Sequence, residues 1–321
     1  MEPVRWGILS TARINHAVLE PARESDKAEV IAIASRDAGR AQAYAHEHDI
    51  KRAYGSYEEL LEDPDVEAIY NSLPNSMHVD WSIRALEAGK HVLVEKPMAR
   101  HPEDVERAYD VAERNGRLLM EAFMYRHHPQ THRLKEVVQS GAIGELRQVR
   151  SAFSFTFDDP TNVRLRPELD GGSLLDLGCY CVGISRLLAG EPELVFGRQR
   201  PGPTDIDLGF TGVLQFPGDV FAEFHCAFDL PAASGVEAIG SAGSVVALEP
   251  FRCLGYLEVN GERVEVGGSD RYLLQLDNLS AAIRGEAEPL LGRSDALSQA
   301  RTIRALYRSA ETGAARVFHS P

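Results

Sequence analysis

The stretch His91-Val92-Leu93-Val94-Glu95-Lys96-Pro97 joins a short apolar run to an acid, a lysine and a proline. The β-branched and apolar residues predict a buried parallel strand, and open α/β sheets bind ligands at the carboxyl ends of such strands. Proline ends the strand because it has no N–H group to donate, and an X-Pro bond adopts the cis form at modest cost. A sharp turn at Pro97 would direct Lys96 into a crevice. The alternative is a solvated pair of Glu95 and Lys96.

The composition is that of an ordinary globular protein. The chain has 321 residues, of which 44% are hydrophobic and 26% charged, with a net charge of -14. The length favours two domains, and the charge argues against nucleic acid or an anionic membrane as a partner. The four cysteines have no paired C-x-x-C spacing, which indicates neither a zinc site nor a disulfide framework. We see no leader-like N-terminus and no run that would span a bilayer, so we expect a cytoplasmic protein.

The first part of the chain alternates short apolar strands with helical patterns. This alternation predicts an α/β fold, a doubly wound parallel sheet with helices on both faces. A capping box is predicted at Ser56 and Glu59. The predicted strands cover residues 5–9, 30–35, 68–73, 92–95 and 118–122. We therefore assign residues 1–123 to a dinucleotide-binding Rossmann domain and residues 124–321 to a second domain.

The turn after the first strand departs from the glycine-rich phosphate motif of such domains. Ser10, Ala12 and Asn15 stand where glycines are expected. Small residues still allow the backbone to approach a phosphate, and hydroxyl groups add hydrogen-bond donors. We expect a phosphate site here in preference to a plain strand-to-helix turn. The predicted cofactor contacts in this turn are Ser10, Thr11, Ala12, Arg13 and Ile14.

The end of the second strand bears on the choice of cofactor. Ser35 and Arg36 end this strand, and Arg40 follows one helical turn later. A Rossmann domain that prefers NAD has an acid at this strand end, whereas a hydroxyl and arginines suit the 2′-phosphate of NADP. We therefore expect NADP, with NAD possible. The alternative is a pair of solvated arginines.

The next strand runs into Leu73-Pro74-Asn75, which predicts a turn. His78 falls in the first turn of the following helix, near the expected position of a nicotinamide. Taken alone, His78 would suit a structural role better than a functional one. We count all four residues, together with Glu95-Lys96-Pro97, as predicted cofactor contacts.

These motifs, taken in order, resemble the glucose-fructose oxidoreductase, inositol dehydrogenase and rhizopine-catabolism (Gfo/Idh/MocA) family of NAD(P)-dependent sugar oxidoreductases. The resemblance continues through residues 120–129, 141–144 and 171–180 and covers nearly the whole chain. The chain is most similar to the branch that holds D-xylose 1-dehydrogenases and dimeric trans-dihydrodiol dehydrogenases, through its first turn, Asn162-Val163-Arg164 and Tyr180. Inositol dehydrogenases carry histidine where this chain has Tyr180, which argues against inositol as the substrate.

The second part of the chain predicts an α+β domain with a large open, mostly antiparallel sheet. Phe153, Phe155 and Phe157 alternate with small polar residues, which predicts a strand with one apolar face, and Asn260-Gly261 predicts a hairpin. Further strands are predicted at residues 194–199, 208–216, 220–228, 236–240, 245–248 and 256–266, and helices at 129–139, 173–188, 273–284 and 296–310. The family resemblance implies that the outer face of this sheet joins subunits into a homodimer or homotetramer.

The predicted catalytic residues are Lys96, Asp176 and Tyr180. Asp176 and Tyr180 are four residues apart, which places both on one face of a helix. When a hydride leaves an alcohol, a base must take the hydroxyl proton. Tyrosine, with a pKa of about 10, is a poor base at neutral pH, but a neighbouring ammonium group lowers such a pKa by roughly 1–3 units. The resemblance implies proton transfer by Lys96 and Tyr180 and sugar binding by Asp176.

Alternatives remain at each of these positions. Ser173 and Asp176 would also suit a capping box, and Tyr180 would suit a core aromatic. Arg164 lies in the loop before the glycines, where we expect it to contact cofactor or substrate rather than solvent alone.

The sequence therefore predicts an NADP-dependent oxidoreductase that acts on a sugar or related polyol, foremost an aldose 1-dehydrogenase of the D-xylose or D-glucose type. A sugar ketoreductase and a trans-dihydrodiol dehydrogenase are the nearest alternatives. A non-catalytic NADP-binding regulator is an alternative of another class. The joint presence of Lys96, Asp176 and Tyr180 favours an enzyme.

Overall fold

The computed structural model describes residues 2–157 and 159–317, which form two compact units. The first unit comprises residues 2–99, 103–127 and 270–296. The second comprises residues 100–102, the described part of 128–269, and 297–317. A single boundary after residue 123 therefore does not describe the division fully, because residues 270–296 belong to the first unit.

The first unit contains a doubly wound parallel sheet, as predicted. Within the described residues, six strands lie in the order β3-β2-β1-β4-β5-β6, and every pair is parallel. The strand order reverses between β1 and β4, and ligands of open α/β sheets bind at such a switch point. The strands are β1 Val4–Leu9, β2 Ala28–Ala34, β3 Arg52–Tyr54, β4 Ala68–Asn71, β5 His91–Val94 and β6 Leu119–Glu121.

The helices of this unit follow the strands. They are α1 His16–Ala22, α2 Ala38–Glu47, α3 Tyr57–Glu62, α4 His78–Glu87, α5 Pro102–Arg114 and α8 Arg271–Ile283. The predicted cap on α3 forms, since Ser56 Oγ accepts a hydrogen bond from the Glu59 amide at 3.2 Å. The Glu59 carboxylate reaches one residue further than a capping box requires and accepts from the amide of Gly55 at 3.0 Å.

Helix α8 joins the first unit through contacts with residues that are distant in sequence. The indole Nε1 of Trp6, a fully buried residue, donates to Ser280 Oγ at 3.1 Å. Arg284, which follows the helix, donates to both carboxylate oxygens of Glu67 at 2.9 and 3.0 Å. Burial of a large apolar side chain contributes about 1.5–3 kcal/mol, so the indole of Trp6 makes α8 an integral part of the Rossmann unit.

The second unit contains the predicted large sheet. Nine strands of the described chain lie in the order β14-β13-β12-β11-β7-β10-β9-β8-β15, and their pairs are antiparallel except for β7 with β10. The strands are β7 Leu146–Ser154, β8 Leu194–Pro201, β9 Asp207–Phe216, β10 Val220–Ala227, β11 Ala233–Gly240, β12 Ser244–Leu248, β13 Tyr256–Val259, β14 Glu262–Glu265 and β15 Arg316–Val317. Helices α6 Pro129–Gln139, α7 Cys179–Ala189 and most of α9 Arg293–Thr312 belong to the same unit.

Two predictions about these strands had different outcomes. The hairpin at Asn260-Gly261 is confirmed, with φ of 53° and 83° at the two turn residues. The prediction that Phe155 and Phe157 continue a strand from Phe153 is wrong, because β7 ends at Ser154. Ser154 pairs with the last residue of β10 and the first residue of β11, so neither neighbouring strand extends the ladder further.

The helix predicted over residues 173–188 has two parts. A π-helical turn, Leu174–Gly178, precedes α7. Gly178 packs close to the sheet, where an added Cβ would lie 2.9 Å from Cys226 Sγ. A side chain at this position would therefore push the segment away from β10.

Among the described residues, one helical stretch, Pro167–Ala189, is long and apolar enough to cross a membrane, so the expectation that no run could do so was too strong. Of its most apolar window, 89% is buried within the protein. We assign this stretch to the core of the second unit.

Candidate active site

The first unit positions Lys96 at the end of β5. The Glu95 amide donates to Asn71 O at 2.9 Å, and the Tyr70 hydroxyl donates to Glu95 Oε1 at 2.6 Å. The Lys96 amide donates to Glu95 Oε2 at 3.3 Å, and the Lys96–Pro97 peptide bond is cis. The acid of this motif thus holds the turn, and Lys96 is half-buried at the carboxyl edge of the parallel sheet.

His78 connects two turns at the same edge of the sheet. It is 1% exposed, with Nδ1 at 2.8 Å from Pro97 O and Nε2 at 2.7 Å from Leu73 O. Burial lowers the pKa of His78 to about 4, although both carbonyls favour the protonated ring. The ring therefore lies between the Leu73-Pro74 turn and the Lys96-Pro97 turn, and in its neutral form its single N–H donates to one of these two carbonyls.

Tyr272, at the start of α8, is a residue that the sequence did not single out. It is 9% exposed, and burial raises its pKa to about 12. The charge of Glu95 raises this pKa further, while the charges of Arg271 and Lys96 lower it. Tyr272 is thus a protonated phenol in the electrostatic environment of Lys96. No local pattern indicates this, because the two residues are far apart in sequence.

The predicted phosphate turn has an unusual backbone at its first residue. Ser10 has φ of 84°, a region that glycine enters freely and other residues rarely. Ser10, Thr11, Ala12 and Ile14 are half-buried, and Arg13 is exposed. The turn therefore keeps the backbone shape of a glycine position with a serine in its place.

The end of β2 presents two exposed arginines. Ser35 is buried, whereas Arg36 and Arg40 are both exposed. Their charges lower the pKa of Tyr57, against the larger effect of burial, which raises it. The nearest acid, Asp37, caps α2 by accepting from the Arg40 amide at 2.7 Å. The end of β2 therefore combines two exposed guanidinium groups, those of Arg36 and Arg40, with the buried hydroxyl of Ser35.

In the second unit, Arg164 and Asp176 form an ion pair. Arg164 Nε donates to Asp176 Oδ2 at 2.6 Å, and the side chain of Asp176 is 12% exposed. The Gly172 amide donates to Arg164 O at 3.0 Å, and a Cβ on Gly171 would lie 2.4 Å from that oxygen. The glycine pair thus lets the Arg164 loop approach the start of the π-helical turn.

Asp207 holds the same turn from the other side and was also missed from the sequence. It is 3% exposed and accepts from Ser173 Oγ at 2.8 Å, from the Leu174 amide at 2.6 Å and from the Tyr307 hydroxyl at 2.9 Å. Because Ser173 donates to Asp207, the alternative of a Ser173–Asp176 capping box is wrong. Burial raises the pKa of Asp207 in spite of these three donors.

Tyr180 lies one turn beyond Asp176 in a group of aromatic rings. It is 6% exposed, with its ring centroid 5.4 Å from that of Phe153 and 5.0 Å from that of Phe251. The contact with Phe153 is edge-on, with an angle of 80° between the ring planes, and the contact with Phe251 is tilted at 49°. The side chain is thus held firmly within the second unit.

The structure groups the predicted residues by unit. The first unit holds Lys96 and the predicted cofactor contacts at residues 10–14, 35–40, 73–78 and 95–97. The second unit holds Arg164, Asp176 and Tyr180. Direct contact of any of these side chains with a cofactor or substrate stays a prediction.

Comparison with known proteins decides the family. Residues 4–123 match the family described as "Oxidoreductase family, NAD-binding Rossmann fold", and residues 131–246 match the Gfo/Idh/MocA C-terminal domain. The chain belongs to the Gfo/Idh/MocA family. This Gfo/Idh/MocA protein is therefore an NAD(P)-dependent oxidoreductase that acts on CH–OH groups, and its first unit is the dinucleotide-binding domain.

Three relatives illustrate the range of the similarity. D-xylose 1-dehydrogenase (NADP(+)) 2 of Haloferax volcanii is 37% identical over 97% of this chain and 98% of its own. Human trans-1,2-dihydrobenzene-1,2-diol dehydrogenase is 36% identical over 82% of this chain and 79% of its own. The crystal structure of KijD10, a 3-ketoreductase from Actinomadura kijaniata in complex with NADP and TDP-benzene, has 29% identity and a TM-score of 0.90 and covers 96% of this chain and 98% of its own.

Proposed function

We propose that this Gfo/Idh/MocA protein is an NADP-dependent dehydrogenase that oxidises an aldose at C1, of the D-xylose or D-glucose type. The observation that carries the proposal is the pairing of Asp176 with Arg164 one turn before Tyr180. An acceptor for sugar hydroxyls and a phenol for proton transfer follow one another on one helical segment. The 37% identity to a D-xylose dehydrogenase over nearly the whole chain supports this substrate class.

The residues at the end of β2 fit NADP. Exposed Arg36 and Arg40 can donate charge-assisted hydrogen bonds to a 2′-phosphate, and Ser35 leaves the strand end without a carboxylate. Asp37 does not replace the missing acid, because its carboxylate caps α2. The related D-xylose dehydrogenase is named as an NADP(+) enzyme, and the KijD10 structure contains NADP.

The chemistry assigns one task to each catalytic residue. NADP, when bound, would supply the hydride acceptor, and loss of a hydride from C1 and of the hydroxyl proton would convert the aldose into a lactone. Tyr180, as the phenolate, takes the proton of the C1 hydroxyl, and the ammonium group of Lys96 stabilises that phenolate. Asp176 accepts hydrogen bonds from neighbouring sugar hydroxyls and orients C1. Arg164 keeps the Asp176 carboxylate in place through their ion pair.

KijD10 supports the choice of Lys96 and Tyr180 as a pair. Forms of that reductase with one lysine changed to alanine, or one tyrosine changed to phenylalanine, have been solved. The two substituted residues are separated by the same number of positions as Lys96 and Tyr180. The same similarity favours a second candidate function, the reduction of a ketosugar or nucleotide-linked ketosugar, since the proton transfer is reversible.

A spectrophotometric panel tests the proposal. Purified protein is mixed with NADP or NAD and with D-xylose, D-glucose, other aldoses and a trans-dihydrodiol, while absorbance of the reduced nicotinamide is followed. Lactone formation with an aldose supports the proposal, and oxidation of NADPH by a ketosugar alone would assign the second function. Tight NADP binding without turnover of any substrate would favour a non-catalytic regulator instead.

We also propose that the protein is a homo-oligomer joined through the outer face of the second-unit sheet. Phe196, Val213, Phe221 and Leu248 are 37–42% exposed. Strand register places all four on the face opposite the buried Phe224. The variant Phe221→Glu should shift the mass in light scattering toward the monomer, and an unchanged mass would contradict this interface.

A further inference from the structure

Ser10 occupies a backbone position that normally requires glycine. It follows the last residue of β1 and has φ of 84°, and for an L-residue this left-handed region is unfavourable because Cβ crowds the backbone. In Rossmann domains this turn must let the backbone approach the pyrophosphate of the cofactor. Some other interaction must therefore hold Ser10 in this conformation.

A closed ring of hydrogen bonds joins Ser10, Ser72 and Asn15. Ser10 Oγ lies 3.1 Å from Ser72 Oγ, Ser72 Oγ donates to Asn15 Oδ1 at 2.6 Å, and Asn15 Nδ2 donates to Ser10 O at 2.8 Å. The Ser72 hydroxyl has one proton, which it donates to Asn15 Oδ1, its shortest contact. In the contact between the two serine hydroxyls, Ser10 is therefore the donor. Each side chain in the ring donates once to the next residue, and such linked hydrogen bonds strengthen one another.

The ring is buried and connects two strands. Asn15 is 0% exposed and Ser72 is 5% exposed. Ser72 follows β4, which pairs with β1, so the ring ties the end of β1 to the end of β4. Ser10 Oγ also accepts from the Ala12 amide at 3.2 Å, which closes the turn locally. The ring therefore fixes the carbonyl and the side chain of Ser10 together.

We propose that Asn15 and Ser72 are positioning residues for the cofactor, and that their ring with Ser10 replaces the glycine of the phosphate-binding turn. The inference rests on the assignment of this turn to the cofactor phosphates. Asn15 and Ser72 act through Ser10 by holding its backbone at positive φ. Because NAD and NADP share the pyrophosphate, loss of the ring weakens both cofactors by the same factor, unlike a change at the 2′-phosphate.

Binding titrations of purified full-length variants test this role. Asn15→Ala and Ser72→Ala should each weaken NADP and NAD by about tenfold, or about 1.4 kcal/mol. Ser10→Gly removes the ring but relieves the backbone at φ of 84°, so it should lose less affinity than Asn15→Ala. The decisive variant is the double substitution Ser10→Gly/Asn15→Ala. Glycine needs no ring, so this double variant should recover the affinity that Asn15→Ala loses.

The rescue separates positioning from mere stability. A double variant that binds as weakly as Asn15→Ala would overturn the proposal, as would wild-type affinity in both single alanine variants. If the thermal midpoint shows that Asn15→Ala does not fold, the same comparison is made with Ser72→Ala and Ser10→Gly/Ser72→Ala. A double variant that binds as weakly as Ser72→Ala, or wild-type affinity in Ser72→Ala, would then overturn the proposal. Asn115→Ala, which removes an amide that follows α5 and donates to Val111 O at 2.8 Å, is the control. Binding is measured without substrate, so a protein that oxidised no sugar would refute the proposed reaction and leave this test intact.

Discussion

Arg164 Nε lies 2.6 Å from Asp176 Oδ2, so a loop arginine and the predicted sugar-binding acid form one ion pair within the second unit. Asp207 holds the other side of the same π-helical turn through Ser173 and the Leu174 amide. The Asp176 carboxylate is therefore held by Arg164, and the start of its π-helical turn is held by Asp207. The position of Asp176 should therefore be sensitive to substitutions at residues outside its own helix.

Substitution of Arg164 should affect the substrate rather than the cofactor. In Arg164→Ala the Asp176 carboxylate loses its partner, and KM for the aldose should rise about tenfold, or about 1.4 kcal/mol. KM for NADP should change less than about threefold, or about 0.7 kcal/mol. Initial-rate kinetics with each substrate varied in turn measure both constants, with Arg166→Ala as the exposed control. A larger change in the NADP constant would assign Arg164 to the cofactor.

Lys96→Met should abolish turnover while NADP affinity stays within about tenfold, or about 1.4 kcal/mol. The substitution keeps an unbranched side chain, one heavy atom shorter, and removes the ammonium group that we propose stabilises the Tyr180 phenolate. Steady-state rates and a fluorescence titration with NADP give the two values. Lys51→Met, at an exposed lysine, is the control. Undiminished activity of Lys96→Met would rule out this acid–base assignment.

Arg36→Ala should discriminate between the two cofactors. A charge-assisted hydrogen bond contributes about 1.5–3 kcal/mol, so NADP affinity should fall at least about tenfold. NAD, which lacks the 2′-phosphate, should lose less than about threefold, or about 0.7 kcal/mol. Parallel titrations with NADP and NAD, with Arg23→Ala as a surface control, measure the ratio. Equal losses would remove the argument for a 2′-phosphate contact at the end of β2.

Asp207→Asn should destabilise the protein by about 2 kcal/mol, because an amide presents a donor to groups that themselves donate. Burial raises the pKa of Asp207 above its ordinary value of 3.8, so the folded state binds the proton more tightly than the unfolded state. The stability that this group contributes is complete below about pH 4 and falls as the pH rises through the folded pKa. The difference in unfolding free energy between wild type and Asp207→Asn should therefore narrow as the pH rises above about 4. Urea unfolding at several pH values measures it, and a difference independent of pH would contradict the raised pKa.

His78 should make the fold sensitive to mild acid. Burial lowers the pKa of His78 to about 4 from 6.5, so the unfolded state takes up the proton first. Stability is complete above about pH 6.5 and falls by about 3 kcal/mol as the pH drops to about 4. His78→Gln should flatten this part of the stability curve in urea unfolding. His91, whose pKa burial also lowers to about 4, leaves part of the slope in the variant. An unchanged slope would mean that the ring is protonated in the folded state.

Much of the fold was accessible from the sequence because it is encoded locally. The alternation of apolar strands and helices predicted the Rossmann sheet, and the Glu95-Lys96-Pro97 and Leu73-Pro74-Asn75 turns lie at the ends of β5 and β4 as expected. Strand β3 was missed because its three half-buried residues carry no apolar run. The strand through Phe155 was extended too far because periodicity does not report where the neighbouring strands end.

The sequence by itself determined the architecture, the family and the chemical types present at the carboxyl edge of the first sheet, since each depends on short patterns of neighbouring residues. Only the tertiary structure decided that α8 returns to the first unit, that Arg164 pairs with Asp176, that Asp207 holds Ser173, and that Asn15 and Ser72 hold Ser10. Most of these interactions join residues that are far apart along the chain. They depend on distances and burial that exist only once the chain has folded, so no local periodicity or motif carries them.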